Sequence, residues 1–201
     1  MGKLILVRHG ESVGNRERIF TTTPHELALT ELGHQQAERA GHFIAQTFRT
    51  EVVVSSPYIR ARETARIIAE ILKLPVEIEP NLHERDVGSL KGQSYESVLA
   101  APGYDPQRPW LWEPPDGESY QHVKARVGPI LDRLAAAHPA RDVVVVSHGG
   151  VMMALWAHVT GAWDNAHVPP NCGIVVVEHL SNGYLAPQVV GDGAQDKFAG
   201  G

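Results

Sequence analysis

Two short apolar runs, each ending in a histidine–glycine pair, constrain the fold of this chain more than any other feature. Residues 4–7 lead into Arg8-His9-Gly10, and residues 143–146 lead into Ser147-His148-Gly149. Short apolar runs that end abruptly in polar residues and glycine predict buried strands. Ligands of open α/β sheets bind at the carboxyl ends of the strands. We therefore expect the two histidines to meet in one pocket.

The spacing of apolar residues along the chain predicts alternating strands and helices. The predicted strands cover residues 4–7, 52–54, 76–79, 143–146 and 174–178, and the predicted helices cover 30–48, 59–72, 119–137 and a segment after Gly150. Thr30 and Ser119 are the expected helix N-caps, and Leu32, Ala37, Ala40 and Ile44 are the expected apolar stripe of the first helix. Residues 14–28 and 80–118 lack periodicity and are expected to be loops. This alternation predicts a three-layer α/β/α sandwich.

Length and composition favour one globular domain over residues 1–190, followed by a flexible tail at residues 191–201. The chain has 201 residues, of which 43% are hydrophobic and 20% charged. No apolar run is long enough to span a membrane, so no membrane partner is expected. The first predicted strand begins within the first few residues, so no signal peptide is expected. A single cysteine, Cys172, fits a reducing compartment, and we expect a cytoplasmic protein.

The net charge limits the possible partners. At −5 the chain repels polyanions, which argues against nucleic acid. A phosphorylated substrate would have to be held by local arginines, which favours a small metabolite in a concave site. Zinc is disfavoured because no His-Glu-x-x-His motif or cysteine pair is present and arginines flank the histidines.

Five ordered segments between residues 4 and about 178 resemble the histidine phosphatase superfamily, also called the phosphoglycerate mutase-like family. They are Arg8-His9-Gly10-Glu11-Ser12 with Asn15, Ser56-Pro57-Tyr58-Ile59-Arg60-Ala61-Arg62-Glu63-Thr64-Ala65, Leu82-His83-Glu84-Arg85-Asp86-Val87-Gly88-Ser89-Leu90-Lys91-Gly92, Pro115-Asp116-Gly117-Glu118-Ser119, and Ser147-His148-Gly149-Gly150. The resemblance implies a mostly parallel sheet with one antiparallel strand. It also implies a phosphoric monoester hydrolase of the histidine acid phosphatase type that needs no cofactor.

The resemblance implies a nucleophile and a phosphate clamp. His9 is the candidate nucleophile, with its second ring nitrogen bonded to a nearby backbone carbonyl. Arg8 and Arg60 are the candidate clamp, because guanidinium groups match phosphate oxygens and stay charged. Their positive charge also favours neutral His9.

Further residues complete the implied site. Asn15 and the backbone amide of Gly149 are expected to bind phosphate oxygens. His148 is expected to be cationic when phosphate is bound and to stabilise the transferring group. Glu84 is the candidate proton donor, and Arg85 is a candidate substrate-binding residue. Without the other segments, a structural network of Arg8, His9, Arg60 and His148 at a strand end would be the favoured interpretation.

Two departures from the mutases of the family favour a phosphatase. Those mutases carry Glu-Arg-His-Tyr-Gly where this chain has Glu84-Arg85-Asp86-Val87-Gly88, and they are longer. Residues 22–30 also lack the aspartate that the family often has there. A cofactor-dependent phosphoglycerate mutase and a non-catalytic phospholigand-binding protein remain as alternatives. A homodimer is possible, and residues 102–115, rich in proline and tryptophan, form either a lid over the pocket or a loop packed on the core.

Overall fold

The computed structural model describes residues 2–20, 27–166, 168–180 and 183–191. Its strands are β1 (Lys3–Arg8), β2 (Thr50–Ser55), β3 (Val76–Ile78), β4 (Asp142–Ser147), β5 (Ile174–Leu180), β6 (Gly183–Tyr184) and β7 (Gln188–Gly191). Its α-helices are α1 (Val13–Glu17), α2 (Glu31–Thr47), α3 (Ile59–Leu72), α4 (Tyr95–Leu99), α5 (Tyr120–Ala137) and α6 (Gly149–Thr160). No described helix is long and apolar enough to cross a membrane.

Four parallel strands form the centre of the sheet, in the order β3-β2-β4-β1. β5 pairs antiparallel with the free edge of β1, and β6 and β7 both pair with β5. In the pairing of β1 with β4, Leu6 lies opposite Val145 and Arg8 lies opposite Ser147. The two strands therefore end side by side. The predicted sheet with one strand running against the others is confirmed.

Alternate residues of each strand face opposite helical layers, which produces the three-layer architecture. Leu4 and Leu6 lie in the core cluster that contains α5 and α6, whereas Ile5 and Val7 lie in the cluster that contains α2 and α3. All four side chains are at most 2% exposed. Because strands covered on both faces need apolar residues at every position, these runs do not alternate with polar residues.

Most of the predicted elements are confirmed. The helix expected at residues 59–72 has those bounds, and Thr30 and Ser119 accept backbone hydrogen bonds as the N-caps of α2 and α5. Leu32 was wrongly placed in the apolar stripe and is 44% exposed. At 100° per residue it lies about 140° around the helix from Ala37, whereas Gly33 is in register with that stripe.

Other differences lie in the connecting segments. The expected loop at residues 14–28 contains α1, which a capping box between Ser12 and Asn15 stabilises. The expected loop at residues 80–118 contains α4 and three short 3₁₀ turns. β3 ends one residue earlier than expected, and β6 and β7 were not predicted. Gly191 ends β7 instead of belonging to a tail, while residues 21–26 and 192–201 lie outside the described residues.

Glycine allows the N-terminus of α2 to approach the loop that follows β1. Thr30 N donates to Glu11 O at 2.9 Å. A Cβ on Gly10 would lie 2.5 Å from Gly33 O, and a Cβ on Gly33 would overlap Glu11 O. The loop that carries His9 is thereby fixed against α2, and this packing leaves no space for a side chain at either glycine.

Gly33→Ala should therefore lower the free energy of unfolding by about 1–3 kcal/mol, because the new methyl group must displace backbone atoms. Gly41→Ala is the matched control in the same helix. Its Cβ would meet the end of the Ile71 side chain, which can move, and alanine favours helix by roughly 1 kcal/mol. Urea denaturation of both variants tests this, and equal stability of the two would contradict the account.

Candidate active site

His9 and His148 lie together at the carboxyl ends of β1 and β4. Their ring centroids are 5.1 Å apart, and both side chains are buried. His9 N donates to Ser147 O at 2.9 Å, which continues the pairing of the two strands beyond their ends. The two strand-end histidines therefore meet at one edge of the sheet, as expected, although only His9 lines the pocket itself.

The hydrogen bonds of His9 define its tautomer. Its Nδ1 lies 2.7 Å from Gly10 O, and Arg60 Nε donates to its Nε2 at 3.1 Å. A carbonyl oxygen only accepts and a guanidinium nitrogen only donates. Nδ1 therefore carries the proton, and Nε2 is unprotonated, with its electron pair accepting from Arg60 Nε. The backbone carbonyl that the family resemblance implied is that of Gly10.

The surroundings of His9 oppose its protonation. Burial, and then the positive charges of Arg60 and Arg8, hold the pKa of His9 well below its usual value, against the opposing effect of the Gly10 carbonyl. The imidazole is therefore neutral at physiological pH, as expected from the neighbouring arginines.

The two arginines reach the histidines from different elements. Arg60 belongs to the first turn of α3 and is 4% exposed. Its carbonyl accepts from Thr64 Oγ1 at 2.8 Å, and Gly10 N donates to the same hydroxyl at 3.0 Å. Arg8 ends β1 and donates from Nη1 to Pro169 O at 3.0 Å. Its Nε is buried and has no partner among the described residues.

His148 uses one ring nitrogen for a contact within the protein. Its Nε2 lies 2.7 Å from Ser56 Oγ, whereas its buried Nδ1 has no partner among the described residues. Burial, and then the charge of Arg60, hold the pKa of His148 well below its usual value. Desolvation and the nearby guanidinium groups therefore favour a neutral His148 in the free site. The expectation of a cationic His148 concerned the phosphate-bound site, which these contacts do not test.

Glu84 faces the N-terminus of α6. Its Oε2 accepts from Gly150 N at 3.3 Å, and its Oε1 accepts from Arg85 N at 2.7 Å. A Cβ on Gly150 would lie 2.5 Å from Glu84 Oε1, so a glycine is needed there for the carboxylate to approach the helix. This role of Gly150 was not predicted, although the second glycine of the Ser-His-Gly-Gly segment was a visible signal.

A buried ion pair holds the segment that carries Glu84. Arg126 and Glu118 form a salt bridge of 2.8 Å, with both side chains mostly buried. Arg126 Nη1 also donates to the carbonyls of Asn81 and His83, and Glu118 Oε2 accepts from Asp86 N at 3.0 Å. The Arg126–Glu118 ion pair therefore holds the backbone on both sides of Glu84 in place.

Asn15 and Gly149 both line the pocket, as predicted. The Nδ2 group of Asn15 donates to Tyr95 Oη at 3.1 Å, which uses one of its two hydrogens. Its Oδ1 accepts from Asn171 Nδ2 at 3.0 Å, and the same nitrogen of Asn171 lies 3.0 Å from His9 O. Asn171 was not predicted, because nothing in its local sequence indicates that it contacts a residue 156 positions away.

The residues above surround a pocket of about 220 Å³. Seven of the eight predicted site residues line it, and His148 lies directly behind His9. The remaining wall is largely apolar and aromatic, formed by Ile19, Phe20, Val87, Tyr95, Tyr120 and Val168. The pocket thus combines a cationic floor, formed by Arg8 and Arg60 around His9, with an apolar wall that suits the organic part of a ligand.

Residues 102–115 reach the pocket through Arg85. The Arg85 guanidinium lies 4.2 Å from the ring centroid of Tyr120 and 5.4 Å from that of Trp112, and its Nη1 has no partner among the described residues. Trp112 is buried and donates from Nε1 to Pro102 O, whereas Trp110 stacks on Trp163. The segment is thus packed on the protein and also supports one pocket residue.

Metal-binding side chains do not cluster in the described ranges. Among them, no three histidine, cysteine, aspartate or glutamate residues are arranged to hold a metal ion. Cys172 is buried and its thiol pKa is raised to about 12 by that burial, so it packs rather than reacts.

Comparison with known proteins agrees with this arrangement. The family model of the histidine phosphatase superfamily (branch 1) matches residues 4–189. The chain belongs to this superfamily. The resemblance inferred from five segments is therefore confirmed over nearly the whole chain.

Named relatives include both phosphatases and mutases. The chain is 34% identical to a metal-independent phosphoserine phosphatase of Arabidopsis thaliana over 167 residues, which are 80% of this chain and 69% of that protein. It is 35% identical to a 2,3-bisphosphoglycerate-dependent phosphoglycerate mutase of a Chelativorans species, over 77% of this chain and 79% of that protein. A mycobacterial glucosyl-3-phosphoglycerate phosphatase in complex with VO3 superposes with a TM-score of 0.83 at 27% identity, covering 94% and 97% of the two chains.

The two buried neutral imidazoles predict how stability depends on pH. In the unfolded chain a histidine binds a proton near pH 6.5, whereas His9 and His148 bind it at lower pH in the fold. The free energy of unfolding should therefore fall as pH drops below about 6.5, by up to about 1.4 kcal/mol per pH unit for each group.

His148→Gln should make that slope shallower by one such contribution. His42→Gln is the control, because His42 is exposed on α2 and meets solvent in both states. Urea denaturation between pH 5 and 6.5 measures the slopes, and equal slopes for wild type and His148→Gln would contradict the assignment.

Proposed function

We propose that this chain is a phosphomonoesterase of the histidine acid phosphatase type, which transfers the phosphoryl group of a small metabolite to His9 and then to water. One observation carries the proposal. His9 Nε2 is unprotonated and lines the pocket, and two buried nitrogens of the site, Arg8 Nε and His148 Nδ1, have no partner among the described residues. A nucleophile beside unsatisfied donors is the arrangement that phosphoryl transfer requires.

Substrate binding would use the cationic floor of the pocket. The phosphoryl oxygens would be held by Arg8, Arg60, Asn15, His148 and the Gly149 amide. Arg8 Nε and His148 Nδ1, which have no partner among the described residues, would gain acceptors in this way. Arg60 Nε would turn from His9 Nε2 to an oxygen, and Nε2 would then attack phosphorus. The bond from phosphorus to the leaving oxygen breaks as the bond to Nε2 forms.

Glu84 would supply the proton. Its carboxyl lies at the pocket wall, on the side where the leaving oxygen of a bound phosphomonoester would be placed. It would give the proton to the leaving oxygen and then take one from the water that attacks the phosphohistidine. Water addition returns His9 to its neutral state and releases inorganic phosphate.

The segment that carries Glu84, residues 84–88, supports hydrolysis over mutase chemistry. Asp86 forms a salt bridge of 2.9 Å with Lys91 and accepts from Gly88 N, and Val87 adds only an apolar surface to the pocket. These two residues replace the histidine and tyrosine that help the mutases of the family to hold phosphoglycerate. The mutase remains the second candidate, because the Chelativorans relative of that name is 35% identical.

The remaining expectations concern the surroundings of the enzyme. The net charge of −5 and the small pocket support a small phosphorylated metabolite rather than a polymer. A cytoplasmic location and a homodimer stay predictions, and so does catalysis without metal. Since two guanidinium groups occupy the floor of the site, activity should persist in a chelator.

Trapping of the phosphoenzyme tests the proposal. Wild-type protein quenched in alkali after mixing with a labelled phosphomonoester should retain acid-labile phosphate, because a phosphoramidate survives alkali. His9→Asn should retain none and lose nearly all turnover, whereas His42→Asn should behave as wild type.

Label kept by His9→Asn would contradict the assignment of the nucleophile. Incubation with 3-phosphoglycerate separates the second candidate: free phosphate should appear, and faster formation of 2-phosphoglycerate would establish a mutase. Binding without turnover across a broad panel of phosphomonoesters would instead establish a non-catalytic protein.

Contacts of the two tryptophans predict different effects on specificity. Trp112→Ala removes the ring beside Arg85, so kcat/KM should change unequally among substrates that differ in the leaving group. Trp110→Ala removes only the stack on Trp163 and should change kcat/KM nearly equally for all substrates. Kinetics on phosphoserine and glycerol phosphate measure this, with melting temperatures as the control. A uniform loss in Trp112→Ala with a lowered melting temperature would show that Trp112 only stabilises the fold.

A further inference from the structure

Ser56 contacts His148 from the neighbouring strand and has no role so far. It follows β2, and Ser56 N donates to Val146 O of β4 at 3.0 Å, which fixes the serine beside the end of that strand. Ser56 and His148 are both 0% exposed, and Ser56 Oγ lies 2.7 Å from His148 Nε2. Either atom of such a pair could carry the shared proton, so the surrounding bonds must decide.

The other partner of the serine decides the direction of this hydrogen bond. Tyr58 N donates to Ser56 Oγ at 3.3 Å, so the oxygen already accepts one bond. Among the hydrogen bonds of the described residues, the one with His148 Nε2 is the only one in which the Ser56 hydroxyl can be the donor. The hydroxyl therefore donates to Nε2, which must be unprotonated, and the proton of the neutral ring lies on Nδ1.

The opposite arrangement is costly. If Nε2 carried the proton, the Ser56 hydroxyl would be a buried donor without an acceptor, at a cost of about 1–3 kcal/mol. Nδ1 would then present an electron pair to a bound phosphoryl oxygen, which repels it. Only the Nδ1-protonated tautomer accepts the hydrogen bond of the Ser56 hydroxyl and also keeps a donor at Nδ1.

We propose that Ser56 is a positioning residue that holds His148 in the Nδ1-protonated neutral tautomer, so that His148 donates a hydrogen bond to the phosphoryl group without being a cation. This inference rests on the proposed function for the identity of the acceptor. The chain of bonds runs in one direction, from Tyr58 N–H to Ser56 Oγ, from the serine hydroxyl to Nε2, and from Nδ1–H to the ligand.

The charged and titratable groups around His148 agree with a neutral ring. Arg60 faces it from α3, Arg8 and His9 from the end of β1, and His83 from the segment before Glu84. The Tyr58 ring packs against it edge-on, with centroids 5.1 Å apart. A cationic His148 would add a further positive charge to this buried group, whereas a neutral donor adds none.

Nitrogen-15 NMR of the wild-type imidazoles tests the tautomer directly. Between pH 6 and 8, His148 should show a protonated Nδ1 and an unprotonated Nε2, with and without inorganic phosphate. A proton on Nε2, or on both nitrogens, would overturn the inference. This measurement needs no variant and no turnover, so it stands even if the protein proves not to be a phosphatase.

Variants test the consequence for catalysis. Ser56→Ala removes the donor to Nε2, so His148 should take up the Nε2-protonated form and kcat should fall about 10- to 100-fold, approaching the loss of a transition-state donor. Ser56→Thr keeps the hydroxyl and should restore both the NMR signature and most of kcat. Ser55→Ala is the matched control, because its equally buried hydroxyl donates to the Ser56 carbonyl and not to His148.

The outcomes separate this inference from the proposed function. An active wild type together with an unaltered kcat and tautomer in Ser56→Ala would overturn the role of Ser56 and leave the phosphatase intact. A wild type that forms no phosphohistidine would overturn the proposed function instead. If Ser56→Ala does not fold, the wild-type spectrum and Ser56→Thr decide.

Discussion

The in-register pairing of β1 with β4 is the constraint on which the rest of the site depends. With Arg8 opposite Ser147, the residue that follows each strand is a histidine, and both imidazoles lie at the same edge of the sheet. α3 then adds Arg60 from the side of β2, and α6 adds its N-terminus directly after His148. A shift of one residue in this pairing would turn one of the histidines to the other face of the sheet.

Burial of these groups together sets their charges. Beside two guanidinium groups, the neutral state of the two imidazoles has the lowest free energy. The hydrogen bonds with Gly10 O and Ser56 Oγ then select one tautomer of each ring. The free site therefore has a positive floor with donors at Arg8 Nε and His148 Nδ1 that the described protein leaves unsatisfied. Unsatisfied buried donors destabilise the folded protein, and an anion with several oxygens would relieve this.

Sequence patterns predicted the sheet, its helices and most residues of the site, because buried parallel strands and amphipathic helices have distinct periodicities and the family segments identify the side chains. They did not predict α1, whose five residues depend on a single capping box, or β6 and β7, which pair only with β5. They also missed Asn171 and the role of Ser56, since contacts between residues far apart in the chain have no local signal. The neutral state of His148 in the free site was not predicted for the same reason, because it depends on three-dimensional burial and on Arg60.

The central claim is that the unprotonated His9 Nε2 is the nucleophilic atom of a phosphate site. A crystal structure of the protein soaked with orthovanadate tests it most directly, because vanadate imitates a transferring phosphoryl group. The account predicts vanadium within bonding distance of His9 Nε2, with oxygens on Arg8, Arg60 and His148 Nδ1. Vanadium bound to another residue, or His9 bonded through Nδ1, would contradict it.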